Sequence, residues 1–155
     1  MTASPMPRIA GLYETHLTVA DLSRSIAFYR DVVGLELAQV FDERRIAFFW
    51  IGDRKIGMLG LWETGSGPLA MRLHLAFTMS LEGVLASAAA LKAKGVQPLG
   101  ISGQKADEPE VIGWMPAVSQ YFADPDGHSL EYIAVLDEPA DAGFGVRPYP
   151  EWLRR

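Results

Sequence analysis

The sequence predicts an α+β fold made of two tandem βαβββ modules whose sheets form a cup. Three observations predict it: stretches in which polar and apolar residues alternate, two helical segments with capping residues, and an order of elements that occurs twice. Residues 11–63 and 71–136 each follow the order strand, helix and three strands. We therefore expect one domain over 11–136, with a lead-in at 1–10 and an irregular, proline-containing tail at 137–155.

The first half begins with a strand, because residues 12–19 alternate between polar and apolar side chains. Asp21 can cap the helix that follows, and Gly34 has the conformational freedom to end it. The predicted apolar face of this helix comprises Leu22, Ile26, Tyr29 and Val33. The later strands of this half are predicted at 35–41, 46–51 and 55–62.

The second half repeats this order. A strand over 73–78 again carries a histidine near its start, Ser80 can cap the next helix, and Gly95 can end it. The predicted apolar face of this helix comprises Leu81, Val84, Leu85, Ala88 and Leu91. The later strands are predicted at 96–99, 118–123 and 129–136, with a polar loop over 102–110.

Composition excludes several classes of protein. The chain has 155 residues and a net charge of -5 with no cluster of lysine or arginine, which argues against nucleic-acid binding. The absence of cysteine excludes disulfides, thiolate nucleophiles and cysteine-based zinc sites. The apolar runs are shorter than the roughly 20 residues of a membrane span, and Met1–Ile9 does not resemble a signal peptide, so we expect a cytoplasmic protein.

Three isolated polar residues interrupt otherwise apolar strands: His16, His74 and Glu131. Side chains alternate across a strand, so these three face the interior of the cup if their apolar neighbours pack beneath the helices. Taken singly, a strand histidine is more often a satisfied core residue, and a strand glutamate is more often a salt-bridge partner or an edge residue. Together, at matching positions of a duplicated unit, they indicate a divalent metal site.

Two neutral imidazoles and one carboxylate leave positions on the ion open for water or substrate oxygens, which is typical of a catalytic site. Nitrogen and oxygen ligands suit Mn, Fe, Ni, Co or Zn, and the sequence does not choose among them. Such an ion acts as a Lewis acid or, if it is iron, by redox chemistry. His128 lies in the turn before the last strand, where its expected role is a hydrogen bond to the backbone.

These residues resemble the vicinal oxygen chelate (VOC) superfamily, which includes glyoxalase I, fosfomycin-resistance proteins, extradiol dioxygenases and bleomycin-binding proteins. The resemblance lies in 16–21 with Ser25, Phe28, Tyr29 and Gly34, in His74, and in 122–128 continuing to Glu131. It implies the glyoxalase-like fold, with His16, His74 and Glu131 as metal ligands. It also implies a small-molecule substrate bound through neighbouring oxygens, and a homodimer whose site lies within one chain or is shared by two.

One ligand of the glyoxalase I pattern is missing. Glyoxalase I has a fourth ligand, a glutamate in the last strand of the first half, and the matching position here is Gly60. Because that glutamate is thought to move the substrate proton, its absence favours the fosfomycin-resistance and extradiol branches. Extradiol enzymes are usually twice this length and use a further catalytic histidine, a role for which His128 is badly placed.

Substrate-binding residues follow from the same resemblance and from the aromatic residues. Thr18, two residues after the first ligand, matches a threonine near the substrate in fosfomycin-type proteins. Aromatic residues at strand spacing are more often core, but they could also form pocket walls, with Trp114 and Met115 as a lid. The candidate walls are Trp62, Trp114 and Tyr121, with Phe49 or Trp50.

We therefore expect a metal-dependent enzyme that chelates a small substrate through two neighbouring oxygens. Epoxide opening, isomerisation or lyase chemistry, and oxygen insertion all stay open. The basic residues Arg44, Arg45, Arg54 and Lys55 could hold a phosphonate, although exposed turn residues are the simpler interpretation. The alternative is a non-catalytic drug-binding protein of the bleomycin-binding kind, a class that typically lacks the metal triad.

Overall fold

The computed structural model describes residues 11–64 and 72–155, so the predicted lead-in at 1–10 lies outside the described residues. The chain divides into two compact units, with the boundary between Ser66 and Gly67. Each unit contains a mixed sheet and one main helix, which confirms the predicted α+β class. Within the described residues, no helix is both long and apolar enough to cross a membrane.

The first unit is a four-stranded sheet with a helix on one face. Its elements are β1 (Glu14–Val19), α1 (Leu22–Phe28), a π-helical turn (Tyr29–Val33), β2 (Glu36–Phe41), a 3-10 turn (Asp42–Arg44), β3 (Ile46–Ile51) and β4 (Gly57–Glu63). The strand order is β1-β4-β3-β2, in which β1 runs parallel to β4 and the other neighbours are antiparallel. The four strands therefore lie where the sequence predicts them, within a few residues.

Local side-chain chemistry sets the ends of α1. The Asp21 carboxylate accepts a hydrogen bond from the backbone N–H of Arg24 at 2.9 Å, as an N-cap residue does. The predicted helix reaches Val33, but its last five residues form the wider π turn, and Gly34 ends it in the left-handed conformation at φ 84°.

The helix packs against β3 and β4 and covers one face of the sheet. Leu17 and Leu61 are paired across the two parallel strands and buried on this face, as the period-two pattern predicts. His16, Thr18 and Trp62 consequently project from the opposite face.

The second unit is a five-stranded sheet with a longer helix. Its elements are β5 (His74–Thr78), α2 (Leu81–Ala93), β6 (Glu110–Ile112), β7 (Ala117–Ala123), β8 (Ser129–Val135), a 3-10 turn (Ala142–Phe144), β9 (Val146–Pro148) and α3 (Tyr149–Trp152). The strand order is β5-β8-β7-β6-β9, in which β5 runs parallel to β8. Helix α2 packs against β7 and β8 and buries Val84, Ser87, Ala88 and Leu91, whereas the predicted core residue Leu85 is 39% exposed.

The prediction of a strand at 96–99 is wrong. Only Leu99 pairs there, through isolated bridges to Lys105 and Tyr121. Pro98, just before it, has no N–H to donate to a ladder, which accounts for the missing strand. The sheet is instead extended by β6, whose three residues begin at the end of the predicted polar loop.

The C-terminal segment is ordered where the sequence predicts an irregular tail. Strand β9 pairs with β6, and Trp152 in α3 is fully buried. The indole N–H of Trp152 donates to the Glu138 carboxylate at 2.6 Å, and the ring packs edge-on against Phe144. One large aromatic residue thus anchors a segment that lacks any periodic pattern.

We predict that Asp21→Ala lowers the free energy of unfolding by about 1 kcal/mol, because it removes the acceptor at the start of α1. Chemical denaturation followed by circular dichroism measures the change. The matched control is Asp107→Ala, which breaks an exposed ion pair with Lys92 and should cost less than about 0.5 kcal/mol. Equal losses in the two variants would contradict the capping role.

Candidate functional site

In the second unit, the pairing of β5 with β8 brings two of the predicted metal ligands together. His74 is opposite Ser129 and Ala76 is opposite Glu131 in the parallel register, so the histidine and the glutamate project from the same face. Their nearest side-chain atoms, Nε2 of His74 and Oε2 of Glu131, are 3.2 Å apart. The face they share is the one opposite α2.

The His74 ring is oriented by the neighbouring strand. Its Nδ1 lies 3.1 Å from the backbone carbonyl of Ser129, an oxygen that can only accept a hydrogen bond. Nδ1 therefore carries a proton, so Nε2 is the nitrogen that is left to bind an ion, and it faces Glu131. Metal-binding histidines are commonly held in this way, by a carbonyl at the nitrogen that does not bind the ion.

Glu131 is a buried carboxylate with unused acceptor capacity. The residue is 4% exposed, and its Oε1 accepts no hydrogen bond from the described residues. A buried acceptor without a partner costs about 1–3 kcal/mol, and more when the group is charged. A lone pair and a carboxylate oxygen at 3.2 Å also repel each other unless a proton or a cation lies between them.

These observations fit a divalent metal ion. Two atoms 3.2 Å apart can both reach one ion at the usual bond lengths of about 2.0–2.2 Å. Among the residues that the structure describes, however, no group of three or more His, Cys, Asp or Glu side chains is close enough to hold a metal. The second unit therefore brings together two of the three predicted ligands.

Tyr121 adds a hydrogen-bond donor to this site. It is paired with Glu131 across β7 and β8, and its ring lies 6.0 Å from that of His74. Burial, together with the negative charge of Glu131, raises the pKa of the Tyr121 hydroxyl well above its usual range. At neutral pH this hydroxyl is protonated and shares a side-chain hydrogen bond with Glu131, which it would exchange in order to donate to a bound oxygen atom.

A cavity of about 370 Å³ adjoins the His74 and Tyr121 side chains. Its lining combines apolar and polar groups and includes Arg72, Leu99, Ile101 and Ser129. Such a mixture suits a small molecule that has an apolar part and a few polar atoms.

In the first unit, both ring nitrogens of His16 have partners. The Trp62 indole N–H donates to Nδ1, and Nε2 lies 2.7 Å from the Glu14 carboxylate. Because an indole can only donate, Nδ1 has no proton, and Nε2 carries the proton that it donates to Glu14. His16 can bind a metal ion only after it exchanges one of these contacts.

Gly60 lies directly beneath the His16 ring. The two residues are paired across β1 and β4, and a Cβ added to Gly60 would be 2.7 Å from Nδ1 of His16. The position at which glyoxalase I has its fourth ligand is therefore filled by the imidazole of this chain. A side chain at residue 60 would displace the ring.

The other predicted substrate residues are divided between the units. Thr18 projects from the same face of the first sheet as His16 and Trp62. Trp50 lies on this face too, whereas Phe49 is fully buried on the helix face against Tyr29.

Trp114 belongs to the second unit and lies in the turn between β6 and β7, with 67% of its surface exposed. Tyr121 is near the other end of β7, where His74 is also located. Trp114 is absent from the lining of the cavity beside these two residues.

The candidate basic residues are mostly occupied within the first unit. Arg45 forms an ion pair with Glu63, which also accepts a hydrogen bond from the backbone N–H of Leu22. The guanidinium groups of Arg44 and Arg54 lie over the rings of Trp62 and Trp50, at 5.5 and 5.7 Å from the ring centroids.

Sequence reasoning missed two residues that contact the predicted ligands. Ser129 orients His74 through its backbone, and Glu14 holds Nε2 of His16. Glu14 could have been found, because it precedes His16 by two residues and lies on the same face of β1. The role of Ser129 depends on the register between distant strands, which a single sequence does not specify.

A sequence model of the Glyoxalase/Bleomycin resistance protein/Dioxygenase superfamily matches residues 10–132. Among solved structures, an integron cassette protein from the mobile metagenome of the Halifax Harbour sewage outfall is 33% identical, with a TM-score of 0.69 over 82% of this chain and 100% of that chain. The fosfomycin resistance protein FosX of Listeria monocytogenes, in complex with Mn(II) and sulfate, is 27% identical, with a TM-score of 0.60 over 84% of this chain and 94% of FosX.

Lactoylglutathione lyase from Agrobacterium tumefaciens is 23% identical, with a TM-score of 0.63 over 82% of this chain and 95% of the lyase. At this identity the similarity shows the fold alone.

We predict that Gly60→Ala displaces the His16 ring and breaks its hydrogen bond with Trp62, because the added methyl group would overlap the imidazole. The intrinsic fluorescence of the protein and a crystal structure of the variant measure the change. Gly11→Ala is the matched control, since a Cβ there has no neighbour within 4 Å. An unmoved ring in the Gly60 variant would contradict the close contact.

Proposed function

Because this chain belongs to the glyoxalase/bleomycin resistance protein/dioxygenase superfamily, we propose that it is an enzyme that uses a divalent metal ion to bind and activate a small substrate through two neighbouring oxygens. The observation that carries this proposal is the contact between Nε2 of His74 and the buried Glu131 carboxylate. Similarity to a relative crystallised with Mn(II) also supports it. When bound, the ion supplies Lewis-acid polarisation of a substrate oxygen, or redox chemistry if it is iron.

His74 and Glu131 hold the ion in this proposal, and His16 supplies the third ligand. Of the two histidines, His74 is already oriented to bind an ion, since its Nδ1 donates to the Ser129 carbonyl and its Nε2 is directed to Glu131. His16 must first release Glu14 or Trp62. In this proposal the three ligands belong to one chain or to the two chains of a homodimer.

Tyr121 and the adjoining cavity bind the substrate. The protonated hydroxyl donates a hydrogen bond to an oxygen on which negative charge develops, and the apolar lining receives the rest of the molecule. Thr18, Trp62 and Trp114 stay as further candidates for substrate contact. Epoxide opening, isomerisation or lyase chemistry, and oxygen insertion are all compatible with this arrangement.

A second candidate function is the binding of a small molecule without catalysis. One observation favours it: both ring nitrogens of His16 already have partners within the first unit. A protein that keeps these contacts would lack the third ligand. Such a protein would bind its ligand through the cavity and the aromatic residues alone.

We predict that the purified protein binds Mn²⁺. His74→Ala and Glu131→Gln should each weaken this binding by more than about a hundredfold, which exceeds the loss expected for a residue that only hydrogen-bonds to a metal ligand. The first variant removes the imidazole, and the second replaces the carboxylate by a neutral amide, at the pair of groups that are 3.2 Å apart. Metal analysis and calorimetric titration measure the change.

The matched control is Glu110→Gln, because both oxygens of this carboxylate already accept hydrogen bonds, from Ile101 and Gln104. Unaltered Mn²⁺ binding in the His74 and Glu131 variants would contradict the proposed site. A native protein that binds a small molecule but no metal would support the second candidate. Coexpression of His16→Ala with His74→Ala restores binding only if the site is shared between chains.

We predict that Tyr121→Phe weakens the binding of acetohydroxamate, which has two neighbouring oxygens, to the Mn²⁺-loaded protein by about tenfold, because one hydrogen bond to a charged oxygen is lost. Affinity for Mn²⁺ itself should be nearly unchanged. Calorimetry measures both quantities.

The control for the Tyr121 variant is Tyr132→Phe, which removes a hydroxyl from the opposite face of β8. Burial raises the pKa of the Tyr132 hydroxyl to about 12, so the two tyrosines are protonated alike at neutral pH. A similar loss of acetohydroxamate binding in both variants would argue against a direct role for Tyr121.

A further inference from the structure

His128 makes a hydrogen bond that reaches a distant part of the second unit. Its side chain is 1% exposed, and its Nδ1 accepts from the backbone N–H of Leu73 at 3.0 Å. The expected bond to the backbone is therefore present, but its partner lies 55 residues away and directly precedes His74. The turn residue thus contacts the beginning of β5.

The protonation of His128 follows from this contact. A nitrogen that accepts a hydrogen bond has no proton, so the ring is a neutral imidazole with its proton on Nε2. A second contact fixes the turn itself, because the Asp124 carboxylate accepts from the backbone N–H of His128 at 2.8 Å. The backbone of the residue that carries the acceptor atom is therefore fixed within the turn.

His128, the last residue before β8, and Ser129, the first residue of β8, hold Leu73 and His74, which lie just before and at the start of β5. The backbone N–H of Ser129 donates to the carbonyl of Leu73 at 2.8 Å, while the N–H of Leu73 donates to His128. The carbonyl of Ser129 then accepts from Nδ1 of His74. Leu73 is thus fixed through both its backbone N–H and its carbonyl, and the next residue is His74, the predicted metal ligand.

We propose that His128 is a positioning residue for metal binding: by accepting from Leu73 it fixes the backbone at the start of β5, so that Nε2 of His74 faces Glu131. This inference rests on the proposed function, since it concerns how the chain prepares one ligand for the ion. His128 does not bind the ion itself in this proposal, because it contacts Leu73, and only the next residue, His74, is a ligand.

Substitutions of His128 can remove its acceptor atom or keep an acceptor near the same position, which separates the hydrogen bond from the volume of the side chain. In asparagine, Oδ1 is attached to Cγ as Nδ1 is in histidine, so His128→Asn keeps an acceptor near the same position. His128→Leu fills similar space but has no acceptor. A matched control for lost stability is Val84→Ala, which removes buried volume from α2 in the same unit and leaves the turn intact.

The experiment measures the dissociation constant of Mn²⁺ and the free energy of unfolding for the unsubstituted protein and these three variants. We expect His128→Leu to weaken Mn²⁺ binding by about tenfold to a hundredfold, as the loss of an outer contact to a metal ligand does. His128→Asn should recover most of the affinity. Val84→Ala should lose stability without losing affinity.

Metal-free crystal structures of the same proteins provide a readout that does not depend on the ion. We expect the distance between Nδ1 of His74 and the Ser129 carbonyl to lengthen in His128→Leu and to be kept in His128→Asn. If His128→Leu does not fold, His128→Met replaces it, because methionine adapts to irregular space and is a poor acceptor.

Two results would overturn the proposal. One is wild-type Mn²⁺ affinity in His128→Leu with a stability loss like that of Val84→Ala, which would make the role of His128 structural. The other is a His74 ring that is unmoved in the metal-free His128→Leu structure. If the wild-type protein binds no Mn²⁺, the proposed function fails, and the metal-free structures alone decide the positioning role.

Discussion

The second unit depends on one constraint, the parallel register of β5 and β8. This register places Ala76 opposite Glu131 and the His74 imidazole two residues away on the same face. It leaves a carboxylate that is 4% exposed next to the lone pair of a ring nitrogen. Burial of the carboxylate beside the half-exposed imidazole favours a positive charge between the two groups, either a cation or a proton, and the backbone pairing creates this preference.

Much of the arrangement was predictable because it depends on local rules. Alternation along β1 predicted that Leu17 packs beneath the helix while His16 does not, and the same rule placed Glu131 on the face opposite α2. The two N-caps, Asp21 and Ser80, act on backbone N–H groups three residues away. Such features need no knowledge of distant residues.

The features that the sequence did not reveal depend on distant partners. Strand β6 has three residues and exists because it has β7 and β9 on its two sides. The hydrogen bond that Trp62 donates to His16 joins residues 46 apart, and it decides which nitrogen of the imidazole is protonated. Trp62 was a candidate pocket wall from the sequence, but a strand pattern contains no information on the tautomer of a histidine.

Strand β9 has a consequence for how copies of this protein can associate. The sheet of the second unit would otherwise end at β6, and the backbone amide and carbonyl groups of that strand would face water. Exposed edges of this kind act as templates for strands of other molecules. Strand β9 covers β6 and becomes the edge itself, but it has three residues and ends in Pro148, which has no N–H to donate, so this side of the sheet is a poorer template for strands of other molecules.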